Sequence, residues 1–432
     1  MNKILTLILS FLLLNNCSSN KNESLVIKKK TNLQITSGAK TILSKQVMGE
    51  QEFNSGVKIQ ISEGIFKKNS NNNQNDIGEL GYPGFLDKIG KYNYKSFNDF
   101  EYIETKPIFY NDNIIFFDNK GTIIFYDKNQ KIIWKKNFYN KSEKKSKPRL
   151  NLAIQKNILI VTDNVAKYYA VDLQTGEIIW SKKNIVPFNS DIKIFNGVFY
   201  AIDYKNILRC ISIKDGSELW RLKTEETLTK SNTKLSIALD KKNIYFNNSI
   251  GDITAVDIIS GQLLWQLPTQ KTNINKNAFQ LTNSNLVVNE SSILFSNNKN
   301  EFYSIDKKLG LVNWMNKINS TLRPSIIGKF IVTVSSNGYL YLLDKKSGNI
   351  LRINDLYKNY NYKQRIKISP TGFIIAMNKV YLTNDNGKLI IVDLNTGNVL
   401  DIVKIASDKI SQPYVYENNL FLIRNGSIIK YN

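Results

Sequence analysis

The sequence predicts an all-β fold: an eight-bladed β-propeller of four-stranded antiparallel blades, its ring closed by an N-terminal strand. Three observations predict it. A nine-residue unit, Asp-x-x-x-Gly-x-x-x-Trp, stands intact at Asp172-Gly176-Trp180, Asp257-Gly261-Trp265 and Asp306-Gly310-Trp314. Degraded copies sit at Ser212-Gly216-Trp220, Asp344-Gly348-Arg352 and Asp393-Gly397-Asp401, and a copy one residue shorter runs from Asp127 to Trp134. From 127 to 393 is 266 residues over six intervals, about 44 each, the period of a four-stranded blade. Finally, apolar runs joined by polar or glycine turns form eight further hairpins, at 114–126, 158–171, 198–211, 244–257, 293–305, 330–343, 380–392 and 420–431.

In chain order, Met1-Asn2-Lys3 precedes a run from Ile4 to Leu14 that is apolar except for Thr6 and Ser10. It is too short to span a bilayer and fits the core of a secretory signal, placed at 1–16. Residues 17–84 are polar, with Lys28-Lys29-Lys30 and Asn69-Ser70-Asn71-Asn72-Asn73, and read as a tether and extension. Within them Val57 to Ile61 alternates as a strand would. The propeller is expected over 85–432. Eight hairpins meet only seven outer strands, so the eighth is expected from Gly90 to Phe97; a seven-bladed ring is the other count. Joining the chain ends in this way removes exposed sheet edges.

Each repeat copy reads as strand, turn, strand. The Asp can accept bonds from turn amides, and the Gly supplies the positive φ of a short hairpin. The Trp falls on the outer strand, where a large ring can fill the wedge between blades. A single blade cannot bury both faces and needs its neighbours.

Chemistry is limited by what is missing. The chain has no histidine, which removes the commonest general base and metal ligand and every Ser-His or Cys-His nucleophile. No phosphate-binding loop, dinucleotide fingerprint or calcium-loop spacing occurs. Asp118-Asn119-Lys120-Gly121 and Asp385-Asn386-Gly387 are acidic and glycine-rich but fall at hairpin turns. Cys210, in an apolar strand, reads as a small buried hydrophobe. No catalytic residue, metal site or cofactor is therefore expected. The formal net charge of +23 comes from 59 basic and 36 acidic residues. It is compatible with an acidic partner or anionic lipid. The favoured reading, however, is the Lys-, Asn- and Ile-rich composition that an AT-rich genome produces. The densest cluster is Lys141 to Lys147; a nucleic-acid partner is not expected for a secreted chain.

Two resemblances add to this. The stretch Leu14-Asn15-Asn16-Cys17-Ser18 resembles a bacterial lipoprotein cleavage site, with Leu14 three before Cys17, although Asn16 replaces the usual small residue. The resemblance implies an acylated Cys17, and Ser18, not being Asp, implies the outer membrane. The repeat resembles the quinoprotein (PQQ-type) propeller repeat. Together with the lipoprotein-like start, linker, eight blades and N-terminal closure, it is similar to the BamB family, propeller lipoproteins of the outer-membrane β-barrel assembly machinery. That resemblance implies a non-catalytic scaffold, monomeric within a multi-protein complex on the periplasmic face. Its partner would be the POTRA domains of a BamA-like barrel insertase. The implied contacts lie in the loops after Trp220 and Trp265, at Leu228 and Lys230 and at Gln280, Leu281, Asn283 and Asn285. Asn283 and Asn285 stand where the family pattern has Asp, and Gln280 where it has Arg. This departure removes charge-assisted bonds.

Two other functions stay open on sequence. A periplasmic ligand-binding propeller for polysaccharide or peptide would use loop tyrosines such as Tyr357, Tyr360 and Tyr362. A PQQ-dependent dehydrogenase relative would need a Trp plate and acidic groups in the central funnel, but all five Trp occupy outer-strand repeat positions.

Overall fold

The computed structural model describes residues 50–60, 66–67, 76–100, 105–225, 233–269 and 281–432. The expected Cys17, Leu228, Lys230 and Gln280 lie outside them. Residues 51–432 form one compact unit.

Eight antiparallel sheets follow one another along the chain, at 108–136, 150–183, 193–223, 237–267, 287–316, 325–355, 370–404 and 414–431. We number them blades 1 to 8. In blades 1 to 7 the four strands run from the ring axis outward in chain order. The two middle strands are buried at almost every position, as Ile244 to Phe246 and Ile253 to Val256 illustrate, because neighbouring blades cover both faces. The core is thus a ring of inter-blade layers.

The repeat unit makes the joint between blades. In blade 5, Asp306 Oδ1 accepts bonds from the amides of Lys308 at 2.9 Å and Leu309 at 2.8 Å. Gly310 closes the turn at φ +71°. The indole of Trp265, from blade 4, lies flat against Gly310 and donates Nε1–H to the Lys307 carbonyl at 3.1 Å. The same donor-to-carbonyl bond joins Trp134 to Leu173 at 2.8 Å, Trp180 to Ile213 at 2.8 Å and Trp314 to Lys345 at 3.4 Å. Trp220 packs on Gly261, while Tyr200 Oη supplies the bond to the Ile258 carbonyl at 3.1 Å.

The degraded copy at blade 6 keeps the joint with different atoms. Arg352, 1% exposed, donates from its guanidinium to the Leu394 carbonyl at 2.6 Å and to the Asn395 carbonyl. Its planar fork reaches the carbonyl position that an indole reaches elsewhere.

The ring closes as expected, with a small shift. β2 (Lys88–Asn93), preceded by β1 (Glu79–Leu80), pairs antiparallel with Ser427–Tyr431 as the outer strand of blade 8. The strand starts two residues earlier than Gly90. Past its end, Tyr94 N–H donates to the Gly426 carbonyl at 3.1 Å. At the seam, the Lys91 amide bonds Gln130 Oε1 at 2.7 Å.

Part of the stretch read as tether and extension is built into the ring. Phe53 exchanges two backbone bonds with Ile353 on the outer edge of blade 6, and Ile59 N–H donates to the Asn395 carbonyl at 3.0 Å. Further on, β1 pairs in parallel with the innermost strand of blade 7, Pro370–Ala376, as its fifth strand. Leu80 and Tyr82 are fully buried. The polar composition around them hid these anchors.

If the glycine–indole contact holds the blades together, Gly310→Ala should cost about 3 kcal/mol, from a strained backbone plus a methyl group forced into Trp265. Gly197→Ala, at φ +80° with nothing near the added carbon, should cost about 1 kcal/mol. Urea unfolding midpoints of the two variants check the difference.

Candidate interaction site

Each outer strand returns to the axis through an inter-blade loop, and the loops from blade 3 to 4 and from blade 4 to 5 share a base. Leu235 N–H donates to the Asn189 carbonyl at 2.7 Å, and Asn189 Nδ2 donates to the Thr233 carbonyl at 3.1 Å. Thr233 Oγ1 donates to the Leu281 carbonyl at 3.3 Å, which ties one loop base to the other. Ser236 Oγ accepts the Leu286 amide at 2.9 Å. The bases of the two loops are thus hydrogen-bonded to each other.

The expected contact residues divide at this shared base. Leu281 is 2% exposed and packs as part of the base. Asn283 forms a bridge with Asn297, and its Oδ1 is buried without a hydrogen-bond partner among the described residues. Asn285 is exposed and borders the axial cavity. Asn283 and Asn285 therefore face different surroundings although they are two residues apart.

That cavity, of about 140 Å³, lies where the innermost strands converge. β1 and the residues before it run along it: Asp76 Oδ1 accepts the Ile326 amide of blade 6 at 3.2 Å, and Glu79 Oε1 accepts the Asn378 amide of blade 7 at 2.7 Å. The lining carries Lys106, Asp191, Lys193 and Arg323. Lys106 Nζ meets Asp191 at 3.1 Å, and Lys234 Nζ reaches it from the rim at 3.6 Å. Burial raises the Asp191 carboxyl, but Lys106 and Lys234 more than offset this and hold it well below the usual range. Burial pulls Lys193 down to about 7, helped by the Arg323 and Lys106 charges and opposed by Asp191. Burial likewise lowers Arg323 to about 10 against Asp76 and Asp191. Sequence reading missed this cluster, because a lone charge at the start of each inner strand looks like loop.

Other candidate residues have structural places. Asp118 Oδ1 accepts the amides of Lys120 and Thr122 within its own turn, and Asp385 Oδ1 accepts the Ser369 amide just before blade 7. The Cys210 thiol is buried and pushed up to about 12 by that burial, so it stays protonated. Tyr357 is fully buried, with Tyr360 edge-on to it, and Tyr362 is 78% exposed. The three do not form one surface.

Blades locked by an indole on a glycine turn define the class: an eight-bladed propeller of PQQ-type repeats. The family is narrower. A family model described as outer membrane protein assembly factor BamB matches residues 119–354, more than half of the chain, and the chain belongs to that family. It is 25% identical over 213 residues to the outer membrane protein assembly factor BamB of Legionella pneumophila (strain Paris), covering 45% of this chain and 51% of that one. It is 24% identical over 159 residues to that of Shewanella oneidensis, covering 35% and 34%. The chain thus matches about half the length of the first relative and about a third of the second. Among solved structures, BamB from Moraxella catarrhalis superimposes with a TM-score of 0.65 at 14% identity, over 80% of this chain and 99% of that one. A quinohemoprotein alcohol dehydrogenase from Comamonas testosteroni does so with 0.60 at 11%, over 82% and 78%. These two likenesses show the fold alone.

Asp191→Asn should lower stability by about 2 kcal/mol near neutral pH, since it removes the carboxylate that Lys106 and Lys234 share. The folded carboxyl sits below its unfolded value, so its contribution is complete above the ordinary carboxylate range. It is lost progressively as pH falls from that range towards the lower folded value. The gap between wild-type and variant unfolding free energies should therefore shrink steadily below about pH 4.

Proposed function

We propose that this chain is a non-catalytic scaffold of the outer-membrane β-barrel assembly machinery, tethered through an acylated Cys17 to the periplasmic face of the outer membrane. It binds the POTRA domains of a BamA-like insertase and aids the folding and insertion of outer-membrane proteins. The observation that carries this reading is the family match over residues 119–354. Two features support it: the bases of the two loops are hydrogen-bonded to each other, and a lipid tether raises the effective concentration of a weak partner.

A non-catalytic role has its own support. The chain's own Ile77 lines the axial cavity, beside Asp76, which accepts the Ile326 amide at 3.2 Å. Four of the five Trp donate their indole N–H across a blade joint, and the fifth, Trp220, packs on the next blade's glycine. None is left to form a cofactor plate. The partner contact is assigned to Leu228, Lys230 and Gln280 in the loops and to Asn285 at their base.

The test is photo-crosslinking in cells with the probe at Lys230 and at Asn285. The expected product is a POTRA-bearing insertase, lost when residues 228–230 are replaced by Gly-Ser in a variant that folds normally. Cys17→Ala should move the protein from the membrane fraction to the soluble periplasm. Crosslinking that yields no such insertase at either position would overturn the partner assignment.

A further inference from the structure

We infer that the tip of the loop joining blades 6 and 7, residues 358–367, docks on the surface of an anionic phospholipid bilayer. The setting rests on the lipid tether of the proposed function, while the contact itself is read from the loop. Residues 356–369 include Lys358, Lys363, Arg365 and Lys367 and no acidic residue. Arg365 is held by Asp355 Oδ2 at 2.6 Å, whereas Lys358, Lys363 and Lys367 stand exposed. Among them Tyr362 is 78% and Ile366 64% exposed. An aromatic ring and an aliphatic chain set among lysines suit a headgroup layer. The apolar groups enter the boundary with the acyl chains, and the ammonium groups meet anionic lipid.

The tip is preformed. At its base Tyr357 and Ile368 are buried, and Tyr357 Oη donates to Asn384 Oδ1 of blade 7. Asn361 Oδ1 accepts the Gln364 amide at 3.0 Å, and Gln364 Oε1 accepts the Asn361 amide at 3.2 Å. This pair caps a short helix, Tyr362–Arg365. The four-residue spacing brings Tyr362 beside Ile366 and Lys363 beside Lys367. Little ordering cost then remains for docking.

Place singles out the bilayer as occupant. Strands alternate in direction within each blade, so all inter-blade loops lie at one end of the ring and all repeat turns at the other. Residues 52–53 meet blade 6 at its loop end. Phe53 pairs antiparallel with Ile353, and Glu52 Oε1 accepts the Asp355 amide at 3.1 Å. Asp355 thus bonds Glu52 through its backbone and Arg365 through its side chain. A tether ending at Glu52 joins the ring beside the base of this tip. Gln51 follows Cys17 by 34 residues, a span that reaches roughly 110 Å when extended. Such a tether leaves the ring unoriented but raises the tip's effective concentration at the bilayer. At the turn end, exposed Ile259 and Leu309 bond through their amides to Asp257 and Asp306. Anionic headgroups would repel those carboxylates.

The test floats the full-length chain carrying Cys17→Ala, so that no acyl chain contributes, with vesicles at millimolar lipid. Vesicles of phosphatidylcholine alone are compared with vesicles containing phosphatidylglycerol. The chain should float with the anionic vesicles only, and rising salt should release it. Such binding is weak, in keeping with the need for two signals in stable anchoring. Tyr362→Ser with Ile366→Ser should weaken it about tenfold, and Lys363→Gln with Lys367→Gln at least tenfold. Both pairs are exposed, so unfolding midpoints should stay unchanged. Ile259→Ser with Leu309→Ser, at the turn end, should leave binding intact. Absence of binding to anionic vesicles would overturn the bilayer as occupant and point to an acidic protein segment instead. Equal binding to neutral vesicles, full binding by either tip variant, or loss in the turn-end variant would also overturn it. The assay contains neither insertase nor acyl chain. Its failure therefore leaves the insertase reading standing, and failed crosslinking to an insertase leaves this contact standing.

Discussion

The bond from an indole N–H to a neighbouring blade's turn carbonyl, with the ring laid on that turn's glycine, is the constraint on which this molecule depends. The strands of one blade do not pair with those of the next. Apolar burial between them is non-directional and would tolerate sliding. A flat ring on a Cβ-less residue sets the distance, and a single indole hydrogen bond sets the register. Arg352 makes the point by exception: a charged side chain is kept fully buried where it can deliver the same donor to the same carbonyl.

Much of this was legible in the residues, and for physical reasons. The Asp, Gly and Trp of the repeat each answer a local demand, so their spacing reports the turn and the strand that follows it. Closure by an N-terminal strand was legible from counting, because a ring short of one outer strand must find it somewhere. The alternation from Val57 to Ile61 marked one stretch as ordered, but the anchors at 51–56 and 76–82 were not legible. Their hold on the ring is mostly backbone pairing, as at Phe53 with Ile353 and Glu79 with Ile375, and backbone bonds leave little trace in side-chain pattern. The axial cations were hidden for a related reason: Lys106, Lys193 and Arg323 lie far apart in sequence, and only the closed ring brings them together.

The shared base of the two loops shows the same division. Leu281, Asn283 and Asn285 stand together in sequence as one loop motif, yet strand-like packing turns the first inward and leaves the third exposed. A motif copied along a loop reads as one surface, but backbone pairing at its base decides which side chains a partner can reach.

Residues 51–93 touch blade 6 at its outer edge, blade 7 along the axis and blade 8 as its outer strand. Partners such as Val57 and Arg352 stand 295 residues apart. Residues 51–93 therefore precede all three of their docking places in the chain, the last of them Ser427–Tyr431. Loop length itself adds little to the entropy of that closure, because the cost grows only with its logarithm. What it adds is waiting time, during which blade 8 lacks its outer strand and an extended N-terminal segment has nowhere to pair. Assembly of this ring ends with its beginning, and an N-terminal segment captured by anything else in the interval would leave the circle open.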